Sequence, residues 1–159
     1  MSIITIVGID PGLVHTGCVA LTLDSGRKSL RVEHEAVAGA SLQDVIDFTR
    51  RYPAARVFIE KYRDRGTAFS THGSMRAFEV QLRSALRGSE LIDNTGVKKV
   101  ITRQMMQALD CWTFPATNHQ DLQAAARIAL YGAVKDPDLN AVVYQYLSDY
   151  SEGQQWQRL

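Results

Sequence analysis

Three acids in this chain stand where carboxylates can do chemistry. Asp10 closes the apolar run that begins at Ile3, Glu60 closes the short run from Arg56, and Asp121 sits in the first turns of an alanine-rich stretch. If the two runs are parallel neighbouring strands, Asp10 and Glu60 emerge together at the C-terminal edge of one sheet. Asn118, three residues before Asp121, shares its helix face and can add a further oxygen. An all-oxygen set of this kind suits Mg²⁺ and does not suit a metal that prefers His and Cys. The matching chemistry is hydrolysis of a phosphodiester, whose charge must be neutralised on both sides; two hard cations about 3.5–4 Å apart do this. Singly, each acid has an ordinary explanation. Asp10-Pro11-Gly12 is a turn, Glu60 a strand-end acid, and Asp121 a complement to a helix dipole. Only their joint placement in one topology points to a metal site.

That topology is readable from the hydrophobic pattern. Residues 3–9 form a nearly continuous β-branched run suited to a strand buried on both faces. Residues 15–22 and 29–37 read as second and third strands, joined at Asp24-Ser25-Gly26, so that the three form an antiparallel meander. Ser41 caps a helix to about Arg51, Pro53 follows its end, and 56–60 is a fourth strand. Residues 61–73 hold two glycines and show neither period, which predicts a loop. From Ser74 to Arg87, Met75, Phe78, Leu82, Ala85 and Leu86 form an apolar stripe beside a basic one of Arg76, Arg83 and Arg87; Gly88 is placed as a cap. Residues 90–93 predict a fifth strand, Thr102 caps a helix through Leu109, and Thr117 or Asn118 starts a helix to about Val134. Ala124, Ala125, Ala126 and Ala129 keep that last helix slim, so it can lie close to the sheet. Residues 135–159 predict a short helix and a polar tail. The expectation is one domain over 1–159, an α/β fold with a five-stranded mixed sheet and helices on both faces.

Composition narrows the class. With 45% hydrophobic and 22% charged residues the chain is an ordinary globule, and Cys18 and Cys111 have no CxxC spacing that would suggest a zinc knuckle or disulfide framework. There is no charged leader and no apolar stretch near membrane-spanning length, so a cytoplasmic location without a membrane partner is expected. A net charge of +1 conceals a polarity. Residues 61–103 carry nine Lys/Arg against four acids, a net of +5, which leaves −4 for the remainder and one face able to attract phosphates.

The motifs resemble a known family. Gly8-Ile9-Asp10-Pro11-Gly12 with Thr16-Gly17 is similar to the opening motif of the RuvC family of Holliday-junction resolvases, in the RNase H-like superfamily. Phe58-Ile59-Glu60 resembles its second acidic strand, Val97-Lys98-Lys99-Val100 its lysine-bearing segment, and Asn118-His119-Gln120-Asp121 its closing motif. The resemblance runs from about residue 4 to 133. It implies an RNase H-like fold and a homodimer that makes paired nicks across a four-way DNA junction. It further implies two Mg²⁺ ions per active site, with Mn²⁺ able to substitute, and in-line attack by water. Asp10, Glu60 and Asp121 would hold the metals, completed by Asn118 or His119. Lys61, Arg63, Arg65, Arg76, Lys98 and Lys99 would contact backbone phosphates, and Tyr62 or Phe69 would stack on an unpaired base. The stripe of Met75, Phe78 and Leu82 would pack under the sheet or against a second subunit, the resemblance favouring the subunit.

Departures from the family pattern are specific. Asn118 stands at a usual ligand position, the segment from Lys99 to Met105 is short, and Arg63 occupies the offset of the stacking aromatic. Three rival readings follow. One is a related nuclease acting on flaps, forks or RNA; another is a non-catalytic junction-binding protein, motivated by Asn118. The third is an ATP-binding domain of the sugar-kinase and actin type, which would need a second domain of this class that 159 residues do not supply. Compactness and the shortened segment admit a phage setting.

Overall fold

The computed structural model describes residues 2–63, 69–115 and 117–159, the side chains of 69–72 apart. Three strands, β1 (Ile3–Asp10), β2 (His15–Asp24) and β3 (Ser29–Ala38), open the chain. Helix α1 (Leu42–Arg50), strand β4 (Arg56–Glu60), helix α2 (Phe69–Ala85) and strand β5 (Glu90–Ile92) follow. Helices α3 (Val97–Val100), α4 (Arg103–Ala108), α5 (His119–Lys135) and α6 (Asn140–Ser151) precede a last strand, β6 (Gln157–Arg158). The sheet order is β5-β4-β1-β2-β3-β6. β1, β2 and β3 form the antiparallel meander, whereas β4 runs parallel to β1 and β5 parallel to β4.

β1 divides its residues between two cores because successive strand side chains face opposite ways. Ile4 and Ile6 join the core beneath α4, α5 and α6, while Val7 and Ile9 join the core beneath α1 and α2. Helices therefore cover both faces, as expected. Cys18 and Cys111 are buried and free, and burial pushes both thiols up to about 12, as befits small hydrophobes. Caps read from sequence recur in the structure: the Ser41 hydroxyl accepts from the Asp44 amide at 3.4 Å, and the Thr102 hydroxyl from that of Met105 at 3.2 Å.

Three expectations need correction. Among the described residues the sheet has six strands, because β6 pairs with β3 in parallel at the edge. The expected polar tail is anchored by Trp156, which is buried and donates its indole N–H to Asp149 at 2.9 Å. α2 begins at Phe69, before the expected Ser74, so residues 69–73 of the expected loop are helical and 64–68 lies outside the described residues. The middle of the α2 stripe is spent inside the chain: Phe78 and Leu82 are buried beside Val45 and Phe48 of α1, under the sheet, while Met75 is half-exposed and Ala85 exposed. Among the described residues, no helix is long and apolar enough to cross a membrane.

Candidate active site

The register of β1 and β4 pairs Ile9 with Ile59, so Asp10 and Glu60 end two parallel neighbours at the same level. Both side chains continue the parity of Ile6 and Phe58, which face the core under α5. The two acids thus share an edge and a face. α5 is brought to that face by missing side chains. A Cβ on Gly8 would overlap the Ala125 carbonyl, and one on Gly17 would overlap that of Asp121. Gly17 is also the cross-strand partner of Asp10. The first turn of α5 is therefore seated on the strand next to Asp10, and Asp121 comes with it. Thr16, fully buried, holds the turn after Asp10 by bonding both the amide and the carbonyl of Gly12 at 3.2 Å.

Electrostatics register this convergence. Burial, then the Glu60 carboxylate, then the charge of Asp121 push the Asp10 carboxyl up to about 9. Asn94, two residues beyond β5, donates its amide to Glu60 Oε1. Asn94 can reach because Glu60 pairs with Ile92 and the Lys61 amide bonds the Ile92 carbonyl at 2.8 Å. Asn118 is the N-cap of α5 but its side chain makes no capping bond; His119 is exposed. Among the described residues, no three His, Cys, Asp or Glu side chains are gathered closely enough to chelate an ion as they stand. The donor set nonetheless fits a hard divalent cation. Asp10 and Glu60 share a partly buried site where one acid keeps its proton unless positive charge joins them, and the three acids donate only through oxygen.

The expected DNA contacts are distributed unevenly. Lys98 and Lys99 are exposed on α3 and line a cleft of about 360 Å³ together with Glu60 and Asn94. Lys61 is exposed beside Glu60, and Arg76 is exposed on α2. Arg63 is engaged within the chain: it pairs with Asp93 at 2.5 Å and bonds the Thr95 hydroxyl. Thr95 and Arg63 hold the Asp93 carboxyl down to about 2, so this tie between the strand-end segments stays charged across the ordinary pH range. The Tyr62 amide donates to Glu79 of α2 at 2.7 Å. Arg65 and the Phe69 side chain lie outside the described residues. Asn94 was missed from sequence; its signal was a polar Asp93-Asn94-Thr95 turn after a third parallel strand at the same edge.

Set against known proteins, the chain matches no protein-family model and no curated protein sequence. It does match solved structures. The Thermus thermophilus RuvC structure aligns over 91% of this chain and 97% of its own, at 19% identity and a TM-score of 0.58. T. thermophilus RuvC in complex with Holliday junction substrate aligns over 96% of this chain and 99% of its own, at 16% identity and a TM-score of 0.56. The chain has an RNase H-like fold. Within that class its architecture is the one seen in RuvC.

Proposed function

We propose that this chain is a divalent-metal-dependent endonuclease that resolves four-way DNA junctions by paired nicking. The observation that carries the reading is the level placement of Asp10 and Glu60 on the α5 side of two parallel strand ends, with Asp121 seated against the partner of Asp10. Asp10, Glu60 and Asp121 would hold two Mg²⁺ or Mn²⁺ ions, completed by Asn118 or His119. When bound, such ions neutralise the phosphodiester and generate a nucleophile from water. The chain's own groups do the positioning. Asn94 fixes one oxygen of Glu60, the acid that Asp10 meets at this edge. Lys61, Lys98 and Lys99 draw the DNA backbone to this edge, and their contacts set register without reading sequence. Arg63, Arg65 and Arg76 extend the basic surface, Arg63 by exchanging Asp93 for a phosphate, and Tyr62 or Phe69 stacks on an unpaired base. Paired nicks require two active sites, hence a homodimer whose contact does not use the buried Phe78 and Leu82.

The test is nicking of a mobile four-way junction, beside duplex and flap substrates, in Mg²⁺. Asp10→Asn and Glu60→Gln are expected to lower the rate by more than about a hundred-fold, since even groups that only support metal ligands contribute 10–100-fold. Undiminished nicking by either folded variant would overturn the metal site. Preference for flaps or RNA would move the substrate within the same fold class. A binding-only protein is the second reading, favoured by Asn118 at a ligand position and by the lack, among the described residues, of three acids gathered closely enough to chelate an ion as they stand. Metal-independent junction binding with no nicking in Mg²⁺ or Mn²⁺ would select it.

A further inference from the structure

Arg127 is a cation at this edge that no role above uses. It lies on α5, six residues past Asp121, and lines the cleft that also takes in Glu60, Asn94, Lys98 and Lys99. Its Nε is buried without a hydrogen-bond partner, and among the described residues no carboxylate pairs with it. Its neighbour is the ring of Trp112, whose centroid is 5.9 Å from the guanidinium carbon and is faced by Arg103 as well, at 4.9 Å. Gln123 ties that ring's backbone to α5 by donating to the Trp112 carbonyl at 2.5 Å. The guanidinium is thus held from one side by an aromatic face and left without an anion.

A guanidinium presents five N–H donors and keeps its proton at ordinary pH, so partial desolvation without an acceptor is unfavourable. Burial lowers Arg127 from its usual value, the direction expected of a cation held at a cost. Structural arginines avoid this by pairing, as Arg56 does with Asp136 at 2.6 Å. The groups that share the cleft indicate what is missing. Lys98 and Lys99 add two positive charges, and Glu60 is the acid among the lining residues, with one oxygen occupied by Asn94.

We propose that Arg127 anchors a subsite for a backbone phosphate of the strand being cut, next to the phosphate addressed by the carboxylate edge. The proposal rests on the nuclease reading above and adds a residue and a ligand to it. A phosphodiester offers two anionic oxygens that match the guanidinium fork, with Lys98 or Lys99 supplying a point charge beside it. Chain continuity places this phosphate: Glu60 lines the cleft together with Arg127, so a strand whose scissile phosphate lies over Asp10 and Glu60 brings its neighbouring phosphate within the same cleft.

The test uses the full chain with Arg127→Met and Arg127→Lys, read by thermal unfolding, by four-way-junction affinity across a salt series with Ca²⁺ in place of Mg²⁺, and by single-turnover nicking in Mg²⁺. Arg127→Met is expected to unfold at the same temperature or higher, because it removes a half-buried cation whose Nε has no hydrogen-bond partner. It should bind the junction about ten- to a hundred-fold more weakly, as loss of a charged hydrogen-bonding pair predicts. Its salt slope should fall by about one phosphate contact. Arg127→Lys keeps the charge and is expected to keep the slope while losing part of the affinity. If the wild type neither binds nor nicks any branched DNA, the nuclease reading fails and takes the subsite with it. If the wild type nicks but Arg127→Met matches it in affinity and salt slope, the subsite alone is overturned. A marked drop in melting temperature in Arg127→Met also overturns it, since Arg127 would then hold the fold and not a phosphate.

Discussion

At the residue scale the site is a problem of charge placement. Asp10 is partly buried, and its carboxyl is pushed up to about 9 by burial, by Glu60 and by Asp121. The folded state therefore keeps a proton that the unfolded chain releases at about pH 4. Where the native state binds more protons, stability falls as pH rises. Without divalent ions the protein is expected to be most stable near pH 4 as far as Asp10 is concerned, and to lose that contribution as pH climbs towards 9. The slope should be a fraction of about 1.4 kcal/mol per pH unit, the limit for one proton. Asp10→Asn should flatten the slope, and millimolar Mg²⁺ should raise the melting temperature more at pH 8.5 than at pH 6. Equal stabilisation by Mg²⁺ at both values would mean that the ion does not replace that proton. A second residue acts through the first pair. Asn94→Ala frees Glu60 Oε1, and Mn²⁺ affinity, followed by electron paramagnetic resonance, is expected to weaken about ten- to a hundred-fold without loss of fold. Asp10 and Glu60 were legible because each ends an apolar strand. Asn94 was not, since its strand is three residues long and bears no fully buried side chain. Arg127 was hidden for a different reason: an arginine in an alanine-rich helix looks like a solvated residue until its unpaired Nε is seen.

At the scale of elements, the site depends on how closely α5 approaches the sheet. Gly8 and Gly17 leave the room, and Ala125 and Ala129 on the helix do not fill it. Gly17→Ala would place a methyl group against the Asp121 carbonyl, and β2 is clamped between β1 and β3 along its length, so the helix must yield. Overpacking of this kind typically costs about 1–3 kcal/mol. The variant is expected to fold with a lower urea midpoint, and to lose nicking under conditions where it is fully folded, because Asp121 moves away from Asp10. Full activity in that folded state would show that Asp121 need not sit against Gly17. The slim helix was readable from its alanines; the parallel pairing of β1 with β4 was only the condition on which two apolar runs ending in acids would make a site, and the register meets it. The start of α2 was not. Thr71, His72 and Gly73 favour no helix by themselves, so the earlier turn is visible only in the folded chain. β6 was equally hidden: two exposed polar residues carry no strand period, and only Trp156 and the edge of β3 place them.

At the scale of the whole molecule, the sheet order separates function from anchorage. The carboxylates, Asn94 and the cleft occupy the β5-β4-β1 half, while β6, Trp156 and the end of α6 close the opposite edge beyond β3. That far edge is densely tied. Asp149 accepts from Trp156 at 2.9 Å and from Gln145 at 2.8 Å, and meets Lys28 at 3.2 Å; the Trp156 bond leads in holding its carboxyl below the usual range. Tyr146, packed edge-on against Trp156, sends its hydroxyl to the Ala108 carbonyl at 2.6 Å, which Arg158 also reaches at 2.8 Å. Trp156→Ala removes the keystone of this edge and is expected to cost about 3–5 kcal/mol, as truncation of a buried Trp usually does. It also loosens the hold on Asp149, a group that favours the folded state above the ordinary carboxylate range and loses that effect as pH falls. The variant should therefore unfold at a higher pH than the wild type in an acid titration. Because the substitution sits across the sheet from Asp10, nicking per folded molecule is expected to stay within about two-fold at a temperature where the variant remains native, as distant sites usually behave independently. A loss of activity exceeding the loss of folded protein would mean that the two edges communicate through β1, β2 and β3, and that the carboxylates need the whole sheet rather than its nearer half to stay level.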